Sequence, residues 1–371
     1  MSEATHSMQY GVRSLAEVLP ALLGGGLGIE PARAAALLLI DGLGAELLRD
    51  HAADAPFLAT LPDAGPLTVG FPSSTATSLT SLSTALPPGG HGLLATFLRV
   101  SDEVVMNTLR WTEQGTTTDL REDFPPESLQ PARTVFERAR AAGVGVTVVS
   151  EARFDGSGLT RAIQRGGDFA GVHAFGDLAA RIVTALAEPG RQLVYGYHAD
   201  LDSMGHKYGP GSLAWRLQLT QVDQLVETIA TRMPTDAVLA VTGDHGMVAM
   251  DRTVDVDTDT RLRAGVLALS GEPRVRHAHA EPGAAADVLA TWQTVLGDAA
   301  WTVSREQAVD EGWFGPLSPE FADRIGDVVA VARGTAGIIR SEAEPFISGM
   351  IGQHGGLTSA EQLVPLLVAR A

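Results

Sequence analysis

Four short stretches of the chain carry residue types that could bind metal. Asp202 and His206 stand four residues apart in Tyr-His-Ala-Asp-Leu-Asp-Ser-Met-Gly-His-Lys-Tyr-Gly (197–209), so one helical turn or a compact loop brings both to one side. Asp244 and His245 are adjacent in Val-Thr-Gly-Asp-His-Gly-Met (241–247), Asp41 lies in Leu-Ile-Asp-Gly-Leu-Gly (39–44), and His354 in Gln-His-Gly-Gly (353–356). Carboxylate and neutral imidazole are the standard ligands of divalent metals. Each stretch alone also admits a plainer reading: Asp41, Asp200 and Asp202 as helix caps, Asp244 as the partner that orients His245, His206 as a core histidine. Together they supply three carboxylates and three imidazoles, enough for two ions with three protein ligands each and open positions left for a nucleophile and a substrate. Two divalent ions against three carboxylates leave one net positive charge to meet an alkoxide or a phosphate oxygen.

A nucleophile can come from the hydroxyl run Phe-Pro-Ser-Ser-Thr-Ala-Thr-Ser (71–78), which leads into the helical spacing of Leu79, Leu82 and Leu86. Ser73, Ser74 and Thr75 then fall at a helix N-terminus, where free N–H groups and the helix dipole favour a developing alkoxide or a bound phosphate. Ordinary capping by Ser or Thr is the competing reading.

These residues need a frame that gathers strand ends. Apolar runs at 36–40, 146–149, 193–197 and 237–242 end in Gly, Asp or His and alternate with helical patterns at 131–142, 176–187 and 212–232. That alternation predicts a doubly wound α/β core with a mostly parallel sheet, whose ligands gather beyond the carboxyl ends of the strands. From 251 to 349 the texture changes, with strand-like 266–269, 275–279 and 328–332, a helix at 284–296 and frequent Gly and Pro. We read 251–349 as a smaller inserted α+β lobe, and 1–250 with 350–371 as the metal-binding core. Trp292, Trp301 and Trp313 are open to two readings, as core or as stacking surfaces for substrate.

The 371 residues include 44 acidic and 27 basic side chains, a formal charge of −17, which disfavours a nucleic-acid scaffold or a binder of anionic membranes. With no cysteine, thiol nucleophiles, disulfides, iron–sulfur clusters and Cys-based zinc sites are excluded. The N-terminal stretch lacks the basic and apolar regions of a secretory signal, and the longest apolar run is far short of the ~20 residues that span a bilayer. The expectation is a soluble cytoplasmic protein.

The ordered set Asp-Gly-hydrophobic-Gly, Phe-Pro-x-x-Thr, Asp-x-x-Gly-His-x-x-Gly, Gly-Asp-His-Gly-Met and a late His-Gly resembles the alkaline phosphatase superfamily, with the closest match to its nucleotide pyrophosphatase/phosphodiesterase (type I phosphodiesterase) branch. The resemblance runs from Asp41 to His354. It implies an alkaline-phosphatase-like three-layer sandwich and two zinc ions, with other divalent ions such as Mn2+ as substitutes. One zinc would take Asp202, His206 and His354, the other Asp41, Asp244 and His245. Thr75 would bridge both ions and attack phosphorus, forming a phosphothreonine that water then cleaves. The implied substrate is a small phosphodiester or nucleotide. One departure stands out: family phosphodiesterases usually place an Asn soon after the His-Gly turn to hold a phosphate oxygen, whereas 91–97 has none and offers Thr96 as the nearest polar side chain. The alternatives are a phosphomonoesterase or phosphonate hydrolase on the same scaffold and, from a different class, a non-catalytic metal-dependent binding protein. A sulfatase is excluded, because the Cys/Ser-x-Pro-x-Arg motif is missing.

Overall fold

The computed structural model describes residues 8–370. Six strands form a central sheet in the order Leu367–Arg370, Ala237–Thr242, Ala34–Ile40, Gln192–His198, Gly145–Glu151 and Asp168–Val172. Five run parallel, and Leu367–Arg370 pairs antiparallel to Ala237–Thr242 at one edge. The middle strand, Ala-Ala-Ala-Leu-Leu-Leu-Ile, is buried along its whole length. Because side chains alternate across a strand, Ala35, Leu37 and Leu39 enter one apolar core while Ala34, Ala36, Leu38 and Ile40 enter the other. Leu79 and Leu82 of the Thr75–Thr84 helix pack in the first core; Ile182, Leu219 and Val226 from the Phe175–Ala187 and Leu213–Ala230 helices pack in the second. The result is the three-layer α/β sandwich with a mostly parallel sheet that the alternating pattern predicts.

A second, antiparallel sheet has seven strands in the order Ala300–Ser304, Val328–Ala332, Val275–Ala280, Val266–Glu272, Phe97–Arg99, Val105–Asn107 and Thr112–Glu113. The last three come from the stretch just after the hydroxyl-rich helix, so this sheet joins distant parts of the chain and brings Phe97 and Asn107 beside the core sheet's ligand edge. Several local details differ from the sequence pattern for identifiable reasons. The helix expected from 131 begins at Val135, where Thr134 and Glu137 satisfy each other's backbone N–H groups in a capping box. The strands at 97–113 are two or three residues long, too short to show a period, and Asp168–Val172 opens on Asp and includes Gly171, so it presents no apolar run. No helix among the described residues is long and apolar enough to cross a membrane.

Candidate metal centre and active site

Strand register sets the geometry. Ile40 pairs with His198 and Leu39 with Thr242, so the chain leaves three neighbouring strands at one level and delivers Asp41, Asp202 and Asp244 to the same edge. Asp202 and His206 lie on one face of the Asp200–Tyr208 helix. Gly42, at φ 75°, makes this approach feasible: a Cβ there would stand 3.0 Å from Asp202 Cα. The capping reading of Asp41 fails, since the helix after it begins at Ala45 with Gly44 as its cap.

Two trios result. In each of Asp202–His206–His354 and Asp41–Asp244–His245, one ligand atom per residue lies within 4.8 Å of the others. His206 Nε2 is 3.2 Å from Asp202 Oδ2 and His354 Nε2 is 3.9 Å from Asp202 Oδ1; His245 Nε2 is 3.3 Å from Asp41 Oδ1 and 3.5 Å from Asp244 Oδ2. The His245 and His354 rings stack with centroids 3.5 Å apart, which puts the two trios side by side. All six sequence-predicted ligands are thus brought together.

The chemistry of the trios fits metal. Asp41 Oδ1, Asp202 Oδ1 and Asp244 Oδ2 are buried without a hydrogen-bond partner, an arrangement that is costly unless a cation meets them. Each imidazole donates from Nδ1 to a backbone carbonyl, His206 to Gly352 (2.7 Å), His245 to Gly246 (3.0 Å) and His354 to Ser73 (2.9 Å). Those bonds fix Nδ1–H as the donor and aim Nε2 inward, the usual support for a histidine that ligates through Nε2 once that nitrogen gives up any proton. Electrostatics agree. Burial, then the neighbouring Asp202, raises the Asp41 carboxyl above its ordinary range, and burial, then Asp41, raises Asp244 well above it. Burial opposes protonation of His245, yet Asp244 and Asp41 push it up to about 10. Without a cation, burial and the crowding of Asp41, Asp244 and His245 favour proton uptake at that trio.

Thr75 is the first residue of its helix, one past the Ser74 cap, and its hydroxyl lies 3.2 Å from His245 Nε2. Ser74 makes no capping bond and its Oγ faces Thr77 Oγ1 at 3.2 Å, while Ser73 Oγ donates to Gly356 O at 3.0 Å. Of the three hydroxyls, Thr75 is the one placed against the ligand cluster.

Thr75, Asp41, Asp202, His206, His354 and Thr96 line one end of a cavity of about 900 Å³. The Thr96 amide donates to Glu272 Oε2 at 2.7 Å, and Glu272, raised by burial, also lines the cavity. Asn107 lines it as well, but its Oδ1 already accepts the Leu109 and Arg110 amides and so serves a turn. Trp292, Trp301 and Trp313 are not among the lining residues. Trp292 is in the core with its Nε1 on Leu262 O, Trp313 packs edge-on against Phe71, and Trp301 lies under Arg333. Two site residues escape sequence reasoning. Tyr197 donates to Asp41 Oδ2 from the adjoining strand, and Glu272 reaches Thr96 from 176 residues away. Tyr197 sits inside the Asp202 motif and its place one strand over from Asp41 was a usable signal; Glu272 had none.

Solved structures with this fold include human ectonucleotide pyrophosphatase/phosphodiesterase 5 (TM-score 0.69, 18% identity, 91% of this chain and 87% of that one). Phosphonoacetate hydrolase from Sinorhizobium meliloti superimposes with TM-score 0.65 at 20% identity, over 91% of this chain and 90% of that one. Among curated proteins, human ectonucleotide pyrophosphatase/phosphodiesterase family member 7 is 41% identical over 81 residues, 20% of this chain and 18% of its own length. The phosphopentomutase of Anaeromyxobacter sp. is 34% identical over 131 residues, 34% of this chain and 30% of the mutase. The aligned parts thus span less than a third of these curated relatives. The sequence model of type I phosphodiesterase / nucleotide pyrophosphatase, by contrast, matches residues 35–357, nearly all of the sandwich and both trios, and the chain belongs to that family.

Proposed function

We propose that the protein is a two-metal phosphodiesterase or nucleotide pyrophosphatase with Thr75 as nucleophile. The observation that carries this reading is the placement of one hydroxyl, at a helix start, beside two trios whose carboxylates each keep an unpartnered buried oxygen. Zinc, or another divalent ion such as Mn2+, would be held by Asp202, His206 and His354 at one position and by Asp41, Asp244 and His245 at the other, with Thr75 between them. When bound, the ions supply Lewis acidity that lowers the hydroxyl pKa and offsets charge on phosphorus and on the leaving oxygen.

The chain's own residues then do the rest. A bond forms between Thr75 Oγ1 and phosphorus as the bond to the leaving oxygen breaks on the opposite side, and water later cleaves the phosphothreonine. Amides at the start of the Thr75–Thr84 helix and the Thr96 side chain hold a phosphate oxygen, in place of the family's usual Asn. The wider part of the cavity, with Leu79, Phe154, Leu159, Ile163 and Phe346, receives the organic group. Support for Thr75 also comes from a structural neighbour, murine ectonucleotide pyrophosphatase/phosphodiesterase 5, whose complex with AMP was obtained with an inactive threonine-to-alanine variant.

Diester rather than monoester chemistry follows from charge. A monoester carries a second negative charge that must be met near the nucleophile, yet 71–97 holds no Arg or Lys and, among the described residues, Arg110 is the one Arg or Lys lining the cavity. We expect kcat/KM for a nitrophenyl nucleotide diester to exceed that for nitrophenyl phosphate by at least about tenfold, about 1.4 kcal/mol in transition-state binding. Equal or reversed efficiencies on one metal-loaded preparation would favour the monoesterase or phosphonate-hydrolase reading. No turnover of either ester would favour a metal-dependent binding protein.

A further inference from the structure

A fully buried ion pair outside the two trios touches the backbone of both. Arg274 sits in the tight turn between the Val266–Glu272 and Val275–Ala280 strands of the second sheet, and Glu361 on the short Ser359–Gln362 helix near the chain's end. Neither side chain has solvent exposure, and they meet in a two-pronged contact, Nε to Oε1 at 2.9 Å and Nη2 to Oε2 at 2.8 Å. The same carboxylate accepts the Gly356 amide at 2.9 Å and the Thr358 hydroxyl at 2.6 Å, while the Glu361 carbonyl accepts the Gly246 amide at 2.9 Å.

Those two glycine amides matter because of what adjoins them. Gly246 follows His245, and its carbonyl is the acceptor that orients the His245 ring. Gly356 closes the turn after His354, and that turn is laced to Ser73: Gly355 N donates to Ser73 Oγ (3.1 Å), Ser73 Oγ to Gly356 O (3.0 Å) and His354 Nδ1 to Ser73 O (2.9 Å). Ser73 is two residues ahead of Thr75. One carboxylate therefore braces a turn that fixes His354 and the approach to Thr75, and its own backbone braces His245. The fit is close enough that a Cβ on Gly246 would stand 1.9 Å from Ala360 O.

We infer that Arg274 and Glu361 are positioning residues for the metal centre: through the Gly246 and Gly356 amides they hold His245, His354 and Thr75 in one arrangement, which is also how the second sheet contributes to the site. This rests on the metal-centre reading above. Well-packed apolar residues often replace a buried ion pair with little or no loss of stability, whereas removing one partner strands a charge. The test therefore changes both partners at once. Arg274→Met/Glu361→Leu removes the acceptor for Gly356, and Arg274→Met/Glu361→Gln restores a carbonyl there.

In the full chain loaded with zinc, the leucine variant should fold and hold one of the two ions at least about tenfold more weakly in competition with a chelator, as is typical when support behind a ligand is lost. Hydrogen exchange should rise at 352–357, and the glutamine variant should recover most of both properties. A folded leucine variant with wild-type zinc affinity and exchange would overturn the inference, as would equal losses in the two variants. The wild type provides a check that needs no variant to fold. Its Gly246 and Gly356 amides should exchange as slowly as the central strands, and exchange of Gly356 at the rate of an open turn would also overturn the inference. Exchange needs no metal, so a protein that took up no zinc would defeat the proposed function while leaving this test of the pair in place.

Discussion

Replacing Thr75 with alanine should lower turnover of an activated diester by a factor on the order of 10³ or more while leaving fold and metal content in place. The expectation rests on position. Thr75 is buried at a helix start, its hydroxyl is 3.2 Å from His245 Nε2, and Ser73 and Ser74 are committed to Gly356 and to Thr77. Alanine removes the hydroxyl and one methyl from a side chain that borders the cavity and belongs to neither trio, so with fold and metal content intact the loss reports chemistry. Thr75→Ser should keep part of the rate, since it retains the oxygen but loses the methyl that fixes its rotamer. Acid quenching during turnover should trap phosphate on a peptide covering 71–78. Near-normal turnover in the alanine variant would move the nucleophile to a neighbouring serine or to water.

Stripping metal should have the second large effect, on stability as well as activity. Each ion that binds only the folded chain adds about 2.7 kcal/mol when present at a hundred times its dissociation constant, so two ions make a measurable share of the total. The metal-free protein should also acquire a pH dependence of known sign. Asp41 and Asp244 have folded-state pKa values raised above those of the unfolded chain, and so does His245, at about 10. A raised group contributes stability below its unfolded pKa and loses it as pH rises through the folded one, so all three act in the same direction. The melting temperature of chelated protein should fall steadily from about pH 6.5 toward pH 10. Zinc-loaded protein should melt higher, with a flatter profile, and zinc uptake at neutral pH should release protons. A chelated protein with unchanged melting temperature and full activity would contradict both parts.

The six residues of the two trios and the layer architecture could be read from the sequence because their signals are local. Asp41 and Asp244 come one and two residues after an apolar run that reads as a buried strand, Asp202 four residues after another, and the open-sheet rule places such residues together. Pairings set by the tertiary fold were invisible. Glu361 and Arg274 are 87 positions apart, and Glu272 and Thr96 are 176 apart; nothing near either member marks the other. The strands at 97–113 were missed for a different reason. They are two or three residues long and are held in place by the Val266–Glu272 strand and by one another, so no period exists to detect. The tryptophans were open to two readings, core or stacking surface, and packing puts Trp292 and Trp313 into the core.

The most direct test is to locate the metals. Crystals of protein purified without chelator, measured just above and just below the zinc absorption edge, should show two anomalous peaks, one bounded by Asp202, His206 and His354 and the other by Asp41, Asp244 and His245, with Thr75 Oγ1 between them. A single peak, or none, in protein that retains full diesterase activity would contradict the two-metal account.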